Sequence, residues 1–182
     1  ICIDGFTFVN NEGVGPSGGW SIVGGIAIRD LNYVGGTGSH DITIKNCIFR
    51  DINRHSANGS GACPLLFGSY ANTSLGHTNC YNIDIQNCVF YPGLAALVTV
   101  GLFIGQIVVY GNTQNFRITG CSFYADSSKY SEDCTGIEFA ANHNAAGTSP
   151  DIPRLGVVTR NNFYQTLPTI DQPRYAVYCQ CE

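Results

Sequence analysis

Charge is scarce in this chain of 182 residues: Asp, Glu, Lys and Arg together make up 12%, about half the roughly 25% of an ordinary soluble domain. A net charge of −4 and the lack of any Lys/Arg run exclude a nucleic-acid surface. No window carries apolar residues at helical spacing, so amphipathic helices are excluded as well. No CxxC pair is present, and His77 near Cys80 does not by itself make a zinc site. There is no methionine, and the first residues do not read as an initiator or a signal peptide, as expected of a segment of a longer chain.

What fills the space is turn chemistry and short apolar alternation. Gly, Asn, Ser and Thr replace the missing charges, while 44% hydrophobic content is enough to build a core. Aligning Phe8, Phe49, Phe90, Phe123 and Phe163 sets ICIDGFTF, DITIKNCIF, IDIQNCVF, FRITGCSF and GVVTRNNF beside one another. One aliphatic column holds Ile1, Ile42, Ile83 and Phe116, with Gly156 as the exception. A second holds Ile3, Ile44, Ile85, Ile118 and Val158. One variable residue separates them, the period of a strand with a single buried face.

Then follow Gly5, Asn46, Asn87, Gly120 and Arg160, mostly residue types that tolerate left-handed backbone angles where a strand bends. Phe6, Cys47, Cys88, Cys121 and Asn161 come next. The Phe spacings are 41, 41, 33 and 40, a period that signals a solenoid of stacked strand-and-turn units. Equivalent side chains should then stack about 4.8 Å apart. A second strand type repeats in step at Ile26, Leu65, Ile104, Ile137 and Val177. The expectation is an all-β, single-stranded parallel β-helix of about five coils, one domain spanning residues 1–182. Ile1 already occupies a core column and YAVYCQCE ends within strand-like alternation, so a segment of a longer chain is expected.

The apolar run from Leu94 to Tyr110 meets the minimum length for a membrane span. Its Gly101, Gly105, Thr99 and Gln106, its β-branched residues and its place in the repeat favour two buried strands. Nine cysteines suggest a disulfide framework, but Cys47, Cys88 and Cys121 share one inward column, where parallel side chains do not meet disulfide geometry. Cys179 and Cys181 lie on one strand face, again a poor pair. Cys63 and Cys80 bracket a loop and are the one candidate bridge. An odd count with thiols in the core fits folding in a reducing compartment.

IKNCIF, IQNCVF, ITGCSF and TRNNF, with GIEF and the Asn-rich loop after it, resemble the right-handed parallel β-helix superfamily of pectate-lyase-like enzymes, polygalacturonase-like glycosidases and phage tailspikes. The resemblance covers nearly the whole chain and implies a right-handed coil. The Gly-His-Gly and Arg-x-Lys signatures and paired aspartates of the glycosidases are absent, as is the aspartate cluster that holds calcium in the lyases. Low charge, Gly/Asn/Ser/Tyr richness and core thiols look most like a tailspike or tail fibre. That likeness implies a virion homotrimer that binds, and often depolymerises, a bacterial surface polysaccharide. The alternatives are a secreted, extracellular lyase or glycoside hydrolase, with calcium as cofactor if a lyase, and a purely structural virion β-helix. No metal site, nucleic-acid partner or membrane insertion is expected.

Candidate residues follow from that reading. The outward column of the second strand type is taken as Ala27, Leu66, Phe103, Glu138 and Tyr178, with aromatic faces for sugars and one carboxylate for acid chemistry. Glu138 is the candidate acid or base, Asp133 or a neighbouring subunit its partner, and His143 an assistant; the bland alternative is an exposed Glu paired with His143 or Lys129. Arg50, Arg54 and His55 form a basic cluster on one loop that would neutralise a uronate; the alternative is a solvated turn after the strand with Asp51 compensating the charge. Tyr91, Tyr124 and Tyr164 follow the Phe column and form a sugar platform, a subunit interface or mere packing for loops.

Overall fold

The computed structural model describes residues 1–9, 12–14, 23–28, 38–55, 63–68, 80–91, 104–110, 113–125, 134–140, 142–143, 150–151, 153–165 and 175–180. Among these there is no helix, and three five-stranded sheets are parallel throughout. The arrangement is consistent with a parallel β-helix solenoid.

The first sheet orders Cys2–Asp4, Ser39–Lys45, Cys80–Gln86, Thr113–Thr119 and Val157–Thr159. The second orders Thr7–Val9, Ile48–Arg50, Val89–Phe90, Ser122–Ala125 and Asn162–Gln165. The third orders Val23–Ile28, Cys63–Phe67, Ile104–Tyr110, Cys134–Ala140 and Tyr175–Gln180. Each sheet takes one strand from each sequence repeat. Two short pairs stand apart: Glu12–Val14 beside Asn53–His55, and Asn142–His143 antiparallel to Pro150–Asp151.

The aliphatic columns are in register. Ile3 pairs with Ile44, Ile44 with Ile85, Ile85 with Ile118 and Ile118 with Val158. The five Phe rings stack with every neighbouring pair of centroids 4.9 Å apart. Each fully buried ring contributes roughly 1.5–3 kcal/mol of transfer free energy. Gly156 breaks its column for a steric reason: a β-carbon there would run into the Phe116 ring.

The bend column also behaves as expected, with positive φ at Gly5, Asn46, Asn87, Gly120 and Arg160. In that conformation the amide of Asn46 donates to Gln86 O at 3.0 Å and that of Asn87 to Thr119 O at 3.0 Å, so bends are stitched between strands as well. Cys47, Cys88 and Cys121 are buried thiols, and their Sγ atoms donate to backbone carbonyls two residues earlier. Asn161 closes this column differently: its Oδ1 accepts from Cys121 N at 2.8 Å and its Nδ2 donates to Ile118 O at 3.0 Å. The Cys80 thiol donates to Ile28 O at 3.7 Å, and the Cys63 side chain lies outside the described residues.

Two placements differ from the sequence expectation. In the third sheet Ile107, not Ile104, pairs with Leu65 and Ile137, while Ile104 pairs with Cys134. The apolar run that ends at Tyr110 offers no alternation to fix its register. A second left-handed column, Asp41, Asn82, Asn115 and Leu155, precedes the aliphatic one. In it Asn82 Nδ2 donates to Asp41 Oδ1 at 2.7 Å and Asn115 Nδ2 to Asn82 Oδ1 at 2.6 Å. Of the run from Leu94 to Tyr110 the second strand is described and residues 94–103 lie outside the described set. Among the described residues no helix is long and apolar enough to cross a membrane.

Candidate functional site

Glu138 lies on the strand Cys134–Ala140, where alternation sends Ile137 into the core, with Phe139 packed against it, and turns Glu138 outward. Its register neighbours are Val108 on one side and Tyr178 on the other. Beyond Val108 the column continues through Leu66 to Ala27. Val108 therefore holds the place expected for Phe103, which lies outside the described residues, as does the side chain of Tyr178.

This column is not an open groove. Leu66 and Val108 are buried although they are not part of the core cluster, and Glu138 is only 6% exposed. Among the described residues no hydrogen bond or ion pair reaches its carboxyl. Burial alone pushes its pKa up to about 7, because a desolvated carboxylate is disfavoured against the neutral acid. At neutral pH the group is poised to give a proton or to take one back, the property that acid catalysis requires. Asp133, Lys129 and Glu132 lie outside the described residues. His143 sits in the strand Asn142–His143, and its side chain is outside the described set.

On the outer side of the second sheet, Tyr91, Tyr124 and Tyr164 stack with centroids 5.0 and 4.6 Å apart and planes within 13° of parallel. Tyr164 is 47% exposed. Because the rings cover each other's faces, the row presents edges and hydroxyls in place of the ring faces that sugar stacking would use. Arg50, exposed, enters the same column: it pairs with Val9, and Tyr91 N donates to Phe49 O at 2.8 Å in the next step. Arg54 pairs with Gly13 in the separate two-stranded sheet, so Arg50 and Arg54 belong to different elements. The side chains of Arg54 and His55 lie outside the described residues.

Comparison with protein-family models, with curated proteins and with solved structures finds no match for this chain. The site is therefore defined by its own geometry.

The described residues contain no group of three or more His, Cys, Asp or Glu side chains suited to a metal ion. The outer face of the first sheet, by contrast, carries polar groups that the repeat alignment passed over as variable. Asp84 accepts from Gln86 Nε2 at 2.6 Å and from both Nε and an Nη of Arg117, and these contacts hold its carboxyl below the usual range, the Arg117 bond first among them. His40, Tyr81 and Asp41 form a second group on that face. The signal that could have found them is that outward residues at fixed offsets from Ile42 and Ile83 must also stack.

Proposed function

We propose that this chain is a right-handed parallel β-helix of about five coils, of the tailspike kind, that binds a bacterial surface polysaccharide along its outer columns and cuts it with Glu138 as proton donor. The observation that carries this reading is Glu138 itself, a carboxyl on an outward column, without a bonded partner among the described residues, whose burial keeps it protonated up to about neutral pH.

Cleavage of a glycosidic bond needs a proton on the leaving oxygen and a second carboxylate as base or nucleophile. Glu138 supplies the first. Asp133, five residues earlier in sequence, or a carboxylate from a neighbouring subunit of a homotrimer supplies the second. The tyrosine row and Arg50 support the binding half, since phenolic hydroxyls at regular short intervals suit a hydroxyl-rich polymer laid along the sheet.

The test is a panel of bacterial surface glycans treated with purified protein and read by reducing-end release and by absorbance of unsaturated uronates. Wild type should release reducing ends, and Glu138→Gln should lose activity by about a hundredfold or more while still binding. Equal activity in the variant would remove Glu138 from the mechanism. Cleavage by a monomer would assign the chain to the secreted polysaccharide lyases or hydrolases, and no glycan affinity would leave a structural virion β-helix.

A further inference from the structure

On the outer face of the first sheet, His40 pairs in register with Tyr81, and their rings stack with centroids 4.8 Å apart and planes 9° from parallel. His40 Nδ1 lies 2.8 Å from Asp41 Oδ2. Asp41 holds a left-handed backbone angle, φ 54°, and the side chain is fixed from its other oxygen by Asn82 Nδ2 at 2.7 Å. Those two bonds, Asn82 first and His40 second, keep the Asp41 carboxyl below the usual range, so it stays an ionised acceptor. An ionised acceptor on Nδ1 makes that nitrogen the N–H donor of the neutral ring, which leaves the Nε2 lone pair for other partners. The His40 side chain is 39% exposed, so solvent and solutes reach it.

We infer that His40 is the general base of an ester-hydrolysing site on this face, that Asp41 and Tyr81 position it, and that its substrates are O-acyl esters of the sort carried on glycan hydroxyls. A water molecule bonded to Nε2 gives up a proton to that nitrogen as its oxygen attacks the ester carbonyl. The tetrahedral intermediate collapses with cleavage of the acyl carbon–alkoxy oxygen bond, and the Nε2 proton passes to the departing alkoxide. One water is consumed, and one carboxylic acid and one alcohol are formed. The imidazolium of the intervening step is favoured by the ionised Asp41 on Nδ1 and by the Tyr81 ring against its face.

The geometry favours acyl over glycosyl transfer. A glycosidic bond requires two carboxyl groups across the scissile oxygen. Here Asp41 is committed to His40 and Asn82, and Asp84 in the adjacent column is committed to Arg117 and Gln86. One oriented base is enough for ester hydrolysis, because the proton it removes is the one the leaving group needs. The column continues from Tyr81 to Gln114 and on to Arg154, and the exposed Arg154 would meet an extended substrate lying along it. The glycan as carrier of the ester rests on the function proposed above; the ester chemistry does not.

The experiment uses 4-nitrophenyl acetate and acetylated xylan as probes, with retention on an immobilised bacterial surface glycan measured in parallel. Wild type should hydrolyse both esters faster than the same concentration of free imidazole. His40→Ala should lose about a hundredfold in kcat/KM at an unchanged melting temperature, and added imidazole should restore part of the rate. His40→Gln, which keeps a polar side chain, should be equally inactive. Asp41→Asn should lower kcat about tenfold with KM unchanged, as expected for loss of an interaction made in the transition state. Hydrolysis no faster than free imidazole, or a His40→Ala protein as active as wild type, overturns the inference. Glycan retention without esterase activity would defeat this site and leave the proposed function standing; esterase activity without retention would do the reverse.

Discussion

The rings of Phe49 and Phe90, 41 residues apart in sequence, lie face to face with centroids 4.9 Å apart and planes 1° from parallel. Phe8 and Phe123 continue the stack on either side at the same interval. Side chains that never meet in a local segment thus form one continuous column, and removing a ring opens a void against two neighbours.

Phe90→Ala should therefore cost about 3–5 kcal/mol, the usual loss for a buried Phe that leaves a cavity. Phe163 ends the stack and is 38% exposed, so Phe163→Ala should cost less than about 2 kcal/mol, since less area returns to water. Urea unfolding of the two variants checks the contrast. Equal losses would mean that the stack is not the core.

Glu138 sets a pH dependence with a definite sign. Its ordinary value is 4.5 and its folded value about 7, so between those limits the folded state holds the proton more tightly than the unfolded one. Stability contributed by the neutral acid is full below about pH 4.5 and is lost as pH rises toward about 7, by roughly 3 kcal/mol in all. Unfolding midpoints near pH 5 and pH 8 should differ more in wild type than in Glu138→Gln. The same slope in both proteins would show that Glu138 is not buried as described.

Asn82 tests the amide ladder on the bend. Asn82→Gly keeps the left-handed angle and removes the bonds to Asp41 and Asn115, a loss of about 0.5–1.5 kcal/mol. Asn82→Ala should lose about 1 kcal/mol more, because φ is 56° there and a β-carbon disfavours that region. Thermal unfolding of the pair separates the two contributions, and Ala no worse than Gly would contradict the backbone assignment.

Gly156 is the exception in its column because the Phe116 ring occupies the space of a β-carbon. Gly156→Ala should destabilise by about 1–3 kcal/mol through overpacking. Combining it with Phe116→Leu should recover part of that loss; additive losses would show that the two residues are not in contact.

The Phe and aliphatic columns were legible because each repeat marks them with the same residue type in the same two-residue alternation. The bend was legible for a related reason: Gly and Asn announce a left-handed angle, and neighbouring repeats extended that to Arg160, whose own identity does not suggest it. The register of Ile104–Tyr110 was not legible, since an unbroken apolar run permits several pairings. Nor was the ladder through Asp41, Asn82 and Asn115, which ends at Leu155 and so lacks a uniform type. Glu138 was found from its place in the outward column, but its burial depends on what lies over that column, which alternation along one strand does not encode. His40 and Asp41 were missed because adjacent residues in an extended strand point to opposite faces; the left-handed turn at Asp41 brings the two together.

The most direct test is nuclear Overhauser contact between selectively labelled Phe rings in the folded protein. Stacking in register requires contacts from Phe49 to Phe8 and to Phe90, from Phe123 to Phe90 and to Phe163, and none between Phe8 and Phe90. Absence of the Phe49 to Phe90 contact in a folded sample would contradict the stacked columns and, with them, the placement of every outward residue described above.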